Sequence, residues 1–94
     1  MYWVIKNNQI NLYIEYQTLW VETKETEYGH TPYKKYAKVY KADRKELLLR
    51  PIKQYCERTG TDRSFIKVEE VPKEQYDFYK GACIWKEQQK ETQE

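Results

Sequence analysis

Residues 2–21 read YWVIKNNQINLYIEYQTLWV, and the fold turns on how they pair. Asn7-Asn8 stands between two apolar-patterned runs. Asn tolerates positive φ, as both positions of a two-residue type I′ loop require. With that loop Lys6 faces Gln9, Ile5 faces Ile10, Val4 faces Asn11 and Trp3 faces Leu12. Trp3, Ile5, Ile10, Leu12 and Ile14 then share one face. Asn11, Glu15 and Gln17 share the other with Val4 and Tyr13. A one-residue slip would undo this sorting, so turn and pattern support each other. The stretch predicts an antiparallel hairpin whose second strand runs on through Tyr16 to Val21. Apolar parity shifts between Tyr16 and Leu19, which predicts a bulge near Gln17-Thr18.

Residues 22–35, ETKETEYGHTPYKK, are polar and contain Gly29 and Pro32, so they predict a long exposed loop. YAKVYKA, residues 36–42, alternates and predicts a third strand. The alternative is a helix begun at Thr31-Pro32 with Tyr33, Tyr36 and Tyr40 on one side. Asp43 with Glu46 three residues on resembles a capping box. Leu47, Leu48, Ile52, Tyr55 and Cys56 then follow helical spacing, with an interruption at Pro51 and an end at Gly60. SFIKVEEV, residues 64–71, predicts a fourth strand. Pro72 can open a last helix carrying Tyr76, Tyr79 and Cys83, flanked by Phe78, Ala82 and Trp85. The alternative there is a helix ending at Lys80, then a strand ACIWK.

The fold class is therefore α+β, one small domain in the order β-β-β-α-β-α. An antiparallel hairpin or meander is joined to a βαβ unit and a C-terminal helix. Residues 1–86 form the domain, and 87–94 are a polar tail expected to fray.

The whole chain has 94 residues, and 39% are apolar. Ten Tyr, three Trp and two Phe supply much of that share. Such rings bury about 150–250 Å² each, so the expected core is small and aromatic-heavy. No run approaches the roughly 18 apolar residues of a membrane span, and the N-terminus lacks a secretory h-region. Cys56 and Cys83 have no metal-ligand spacing and read as reduced thiols of a cytoplasmic protein. Residues favoured by AT-rich codons outnumber those favoured by GC-rich ones. By composition the chain looks like small proteins of phages and mobile elements, a compositional likeness and not a family match.

The formal charge is +2 but unevenly spread. Residues 30–58 carry nine basic and three acidic side chains, while the segments on either side are each net −2. The basic stretch is interleaved with tyrosine: Tyr28, Tyr33, Lys34, Lys35, Tyr36, Lys38, Tyr40, Lys41, Arg44 and Lys45. These ten are the candidate binding residues. Tyr buries much area at little entropic cost, and Lys steers an acidic surface. Lys and Tyr can also neutralise phosphates and stack on unpaired bases. The bland alternative is a solvated face whose Lys stems cover tyrosine rings.

His30 reads as an exposed loop histidine. Glu69 and Glu70, adjacent on a strand, point to opposite faces and do not make a carboxylate pair. There is no P-loop, GxGxxG, GxSxG or HExxH motif. No catalytic residue, metal or cofactor is expected. The leading functional expectation is a non-enzymatic protein-binding module, an inhibitor or regulator whose partner offers an acidic surface. The alternatives are a single-stranded nucleic-acid or RNA binder using residues 28–45, and an enzyme of unfamiliar type. No membrane partner is expected. A homodimer through the C-terminal helix is a further option.

Overall fold

The computed structural model describes residues 1–80. Strand β1 (Tyr2–Asn7) lies at the centre of an antiparallel sheet. Along one edge β5 (Ile66–Val71) pairs with it at all six residues, from Tyr2↔Val71 to Asn7↔Ile66. A strand has two edges, so its other partners share the second. There β2 (Leu12–Trp20) meets residues 6 and 7, and β4 (Tyr40–Lys41) meets residues 2 and 3. Strand β3 (Glu25–Thr31) extends the sheet beyond β2. Helix α1 (Leu49–Thr59) connects β4 to β5, and a second helix, α2, covers 73–80 within the described residues. The molecule is a small α+β fold.

The hairpin forms, but not with the predicted loop. Asn7 pairs with Leu12 and Lys6 with Tyr13, leaving residues 8–11 as the turn. The pairs Ile5–Ile10 and Trp3–Leu12 do not form, and Ile10 lies exposed in the loop. The cause is the Asn7 side chain. It is buried, donates from Nδ2 to Tyr55 Oη (3.0 Å) and Thr61 Oγ1 (3.2 Å), and accepts from Gln9 N–H (3.0 Å). That amide belongs to the core, so the positive φ falls on Asn11 (φ 55°) instead. Lys6 pairs four residues further on than predicted, an even shift, so the sorting of faces survives. Trp3, Ile5 and Ile14 do share a face, with Val4 and Tyr13 on the other. The bulge comes earlier than predicted, at Glu15, between Ile14↔His30 and Tyr16↔Gly29.

Both faces of β1 are covered, which is why Trp3, Val4 and Ile5 are buried in succession. On one face Trp3, Ile5 and Ile14 pack against Leu48, Ile52 and Tyr55 of the α1 region. On the other, Val4, Tyr13 and Val71 pack with Ala37 and Val39, beside Tyr76 and Tyr79 of α2. Each fully buried aliphatic side chain contributes about 1.5–3 kcal/mol.

The predicted loop over 22–35 is largely strand β3. Thr26, Tyr28 and His30 alternate onto the α1 face and are half-buried, while Glu25 and Glu27 are exposed. Gly29 leaves room for the Tyr16 ring, which covers it: a Cβ there would lie 1.9 Å from Cε1 of Tyr16. The predicted strand 36–42 shrinks to Tyr40–Lys41, preceded by a 3₁₀ turn at Lys34–Tyr36. Between them the chain is held by Lys38 N–H donating to the Ile14 carbonyl (2.8 Å).

The expected βαβ unit is present in split form. Strands β4 and β5 both run antiparallel to β1, hence parallel to each other, with β1 between them. The helical stretch divides before Pro51. A 3₁₀ turn, Lys45–Leu48, precedes α1, and Arg44, not Asp43, precedes the turn, with no side-chain cap bond. Pro51 is the third residue of α1, where an N–H has no intrahelical acceptor, so it costs no hydrogen bond. Leu47 is exposed, unlike Leu48. Gly60 ends α1 in the left-handed region (φ 73°), as expected. The predictions for Cys83, for helix or strand over 82–90, for the domain limit at 86 and for the 87–94 tail lie outside the described residues.

Candidate functional site

The ten candidate residues do not form one surface. Tyr28 and Tyr40 pack against the α1-side core. The Tyr28 ring meets Tyr55 edge-on (centroids 4.9 Å, 89°). Its hydroxyl is buried and has no hydrogen-bond partner among the described residues. Burial pushes the Tyr28 hydroxyl pKa up. Burial, then the neighbouring Tyr28, Tyr79 and Tyr55, pushes that of Tyr40 up further. Both rings are half-buried against that core. Lys41, Arg44 and Lys45 are exposed, and Lys45 borders a different groove, between α1 and β5.

Tyr33, Lys34, Lys35 and Tyr36 remain together on the 3₁₀ turn and the residue before it. Tyr33 and Tyr36 are 58% and 46% exposed, and their rings meet edge-on (5.9 Å, 87°). α2 adds Phe78, 60% exposed, with its ring centroid 6.5 Å from that of Tyr36. The turn is tied to α2 by Gln75 Nε2, which donates to the Lys34 carbonyl (2.6 Å). Lys35, Tyr36, Glu74, Gln75 and Phe78 line a depression of about 400 Å³. The predicted residues here thus gain Phe78 and Gln75, which chain position alone could not join to them. The signal for Phe78 was its place off the Tyr76–Tyr79 stripe of α2.

The patch cations are partly engaged within the chain. Lys34 pairs with Glu69 (3.6 Å), and Lys35 Nζ lies 5.0 Å from the Tyr36 ring centre. Lys38 lies over Tyr40 and Tyr79 and donates to Tyr79 Oη (3.4 Å). Glu69 also accepts a hydrogen bond from Tyr13 Oη (2.8 Å). That bond, helped by Lys34, Lys67 and Lys6 and opposed by burial, holds the Glu69 carboxyl below the usual range. Glu69 faces the Tyr13 side, and Glu70 is exposed. At the far end of the β2–β3 hairpin, Leu19, Trp20 and Val21 are exposed, and Trp20 Nε1 donates to Glu27 (3.1 Å).

His30 is not an exposed loop residue. It lies in β3, half-buried, with Nε2 2.7 Å from Tyr55 Oη. Asn7 Nδ2 already donates to that oxygen, so the hydroxyl proton points to Nε2, which accepts in the neutral ring. Burial lowers the His30 pKa, in keeping with the neutral form. Thr59 Oγ1 donates to the Tyr55 carbonyl (2.8 Å) and lies 2.9 Å from Thr61 Oγ1, closing the network. With Tyr55 only 1% exposed, this knot ties β1, β3 and α1 together and offers no open nucleophile. Cys56 is half-buried, and burial, opposed by Arg63, pushes its thiol pKa up, away from the reactive thiolate.

Among the described residues no three His, Cys, Asp or Glu side chains converge as a metal site. No helix there is long and apolar enough to cross a membrane. Comparison with protein-family models, curated proteins and solved structures returned no match.

Proposed function

We propose that this chain is a small non-enzymatic protein-binding module, an inhibitor or regulator that engages its partner through the Tyr33–Tyr36–Phe78 patch. One observation carries this: three large rings are grouped and exposed beside Lys34 and Lys35, although the core lies close by. Aromatic side chains are enriched at interfaces and dominate their hot spots. Cations at the rim favour an acidic partner surface through the approach rate more than through affinity. The ring geometry favours a protein over nucleic acid. Tyr33 and Tyr36 meet edge-on, and Lys34 is already paired with Glu69. A base-stacking platform instead needs open ring faces and unengaged cations along a backbone track.

The test is capture from a cell lysate, with and without nuclease, followed by a salt titration of the captured complex. The proposal expects a protein that survives nuclease and a shallow dependence of affinity on salt. Nucleic acid held by about five lysines would give a slope of about −3.5 to −4.5 in log affinity against log salt, and would overturn it. Lys35→Glu, which leaves the Lys34–Glu69 pair intact, should slow association with an acidic protein while leaving the fold unchanged.

A further inference from the structure

The opposite side of the sheet carries a second feature. Strand β5 is paired along one edge only among the described residues. Asn8 N–H donates to the Phe65 carbonyl (2.9 Å), which fixes the alternation of the ladder. The backbone groups of Lys67, Glu69 and Val71 therefore face β1. Those of Ile66, Val68 and Glu70 face outward, away from the sheet. The side chains of Ile66 and Val68 meanwhile pack into the core beneath α1. The outward edge thus borders a groove along α1, made of two adjoining depressions of about 490 and 500 Å³ that share Leu49 and Arg63. Its floor is apolar, with Leu49, Ile52, Ile66 and Val68.

The rim is cationic. Lys45, Arg50, Lys53, Arg63 and Lys67 line the two depressions, against Glu46 and Glu57. None of the five cations forms a salt bridge with a described residue. An unpaired strand edge offers N–H and C=O groups to an extended chain, and pockets for alternate side chains then select its sequence.

We propose that this groove is a second interaction surface, which takes an extended acidic segment of a partner protein as an added strand on β5. Main-chain hydrogen bonds form to Ile66, Val68 and Glu70. Apolar side chains of the added strand enter over Leu49 and Ile52, the carboxylates that alternate with them meet Lys67 on the other face, and carboxylates flanking the apolar run meet Lys53 and Arg63 on the α1 side. The site is independent of the Tyr33–Tyr36–Phe78 patch and stands or falls separately from it.

The probe is a fluorescein-labelled peptide of alternating Val and Glu with two further Glu at each end, titrated into the full chain by anisotropy. Its controls are the same peptide with Lys for Glu and one with Pro at alternate positions, which cannot donate to the edge. The expected result is saturable binding of the acidic peptide, at least about tenfold weaker for each control. The double variant Lys53→Glu/Arg63→Glu, both on exposed positions, should bind it at least about tenfold more weakly while melting like the parent chain. Hydrogen exchange should slow at the amides of Ile66, Val68 and Glu70 on adding peptide. Those of Lys67, Glu69 and Val71, already paired with β1, should not change. Equal binding of the Lys or Pro peptide would overturn the proposal, as would no binding up to millimolar concentration. So would protection of Ile66, Val68 and Glu70 before any peptide is added, since the edge would then be paired already within the chain.

Discussion

The two faces of the sheet solve the same packing problem with different materials. Beneath α1, aliphatic side chains surround a polar knot in which Asn7, His30, Tyr55 and Thr61 satisfy one another. Beneath α2, Val4, Tyr13, Ala37, Val39 and Val71 form a smaller core, and the aromatic rings above it spill outward to Tyr36 and Phe78. The first face commits its polar groups inward, where each must be matched. The second leaves apolar groups outward, where no folding demand is met. In the proposed function that difference places the aromatic recognition patch on the second face.

The sharpest way to break the first face is at Tyr55. Tyr55→Ala removes a side chain only 1% exposed and should cost about 3–5 kcal/mol, enough to unfold a marginal domain. Tyr55→Phe keeps the packing but takes away one acceptor of the Asn7 amide and the donor to His30 Nε2, and should cost about 1–3 kcal/mol in urea denaturation. The same change one ring away should behave oppositely. Tyr28→Phe removes a buried hydroxyl that has no described partner, and should leave stability unchanged or raise it by up to about 1 kcal/mol. A large loss in Tyr28→Phe would show that its hydroxyl is satisfied in solution.

His30 gives the α1 face a pH dependence. Its folded pKa lies below the ordinary 6.5, so between the two values the unfolded chain binds more protons. Stability should therefore be fully present above about pH 6.5 and fall as pH drops towards the folded value. Glu69, also lowered, acts in the same direction but only below its ordinary 4.5. Denaturant midpoints measured between pH 5 and 7 should slope in the native chain and lie flatter in His30→Gln. An unchanged slope in that variant would remove His30 from the knot. The smallest effect is expected at Gly29→Ala. The new methyl displaces the Tyr16 ring, but the contacted atoms are the far end of a half-exposed side chain, so the cost should stay below about 1 kcal/mol.

The same contrast explains what could be read in the sequence. The alternation of Trp3, Ile5 and Ile14 against Val4 and Tyr13 was legible because face depends only on parity. The turn was not, because Asn7 is held by Tyr55 and Thr61, 48 and 54 residues away, and no local pattern carries that information. Strand β3 was hidden by its polar composition. Its half-buried Tyr28 and His30 meet the Tyr55 ring of α1. Of the ten candidate residues, charge and aromatic content grouped all alike. Only the path of the chain separates the half-buried rings of Tyr28 and Tyr40 from the exposed Tyr33 and Tyr36, and only tertiary packing brings Phe78 beside them.

The central claim, that the α2 face binds a partner through its exposed rings, meets its most direct test in one variant. Tyr33→Ala/Tyr36→Ala/Phe78→Ala should keep its unfolding free energy within about 1 kcal/mol of the native chain, since all three side chains are largely exposed. Its affinity for the protein captured by the native chain should fall by about 30-fold or more, the loss of at least one hot-spot side chain. A folded triple variant that binds that partner as tightly as the native chain would contradict the account.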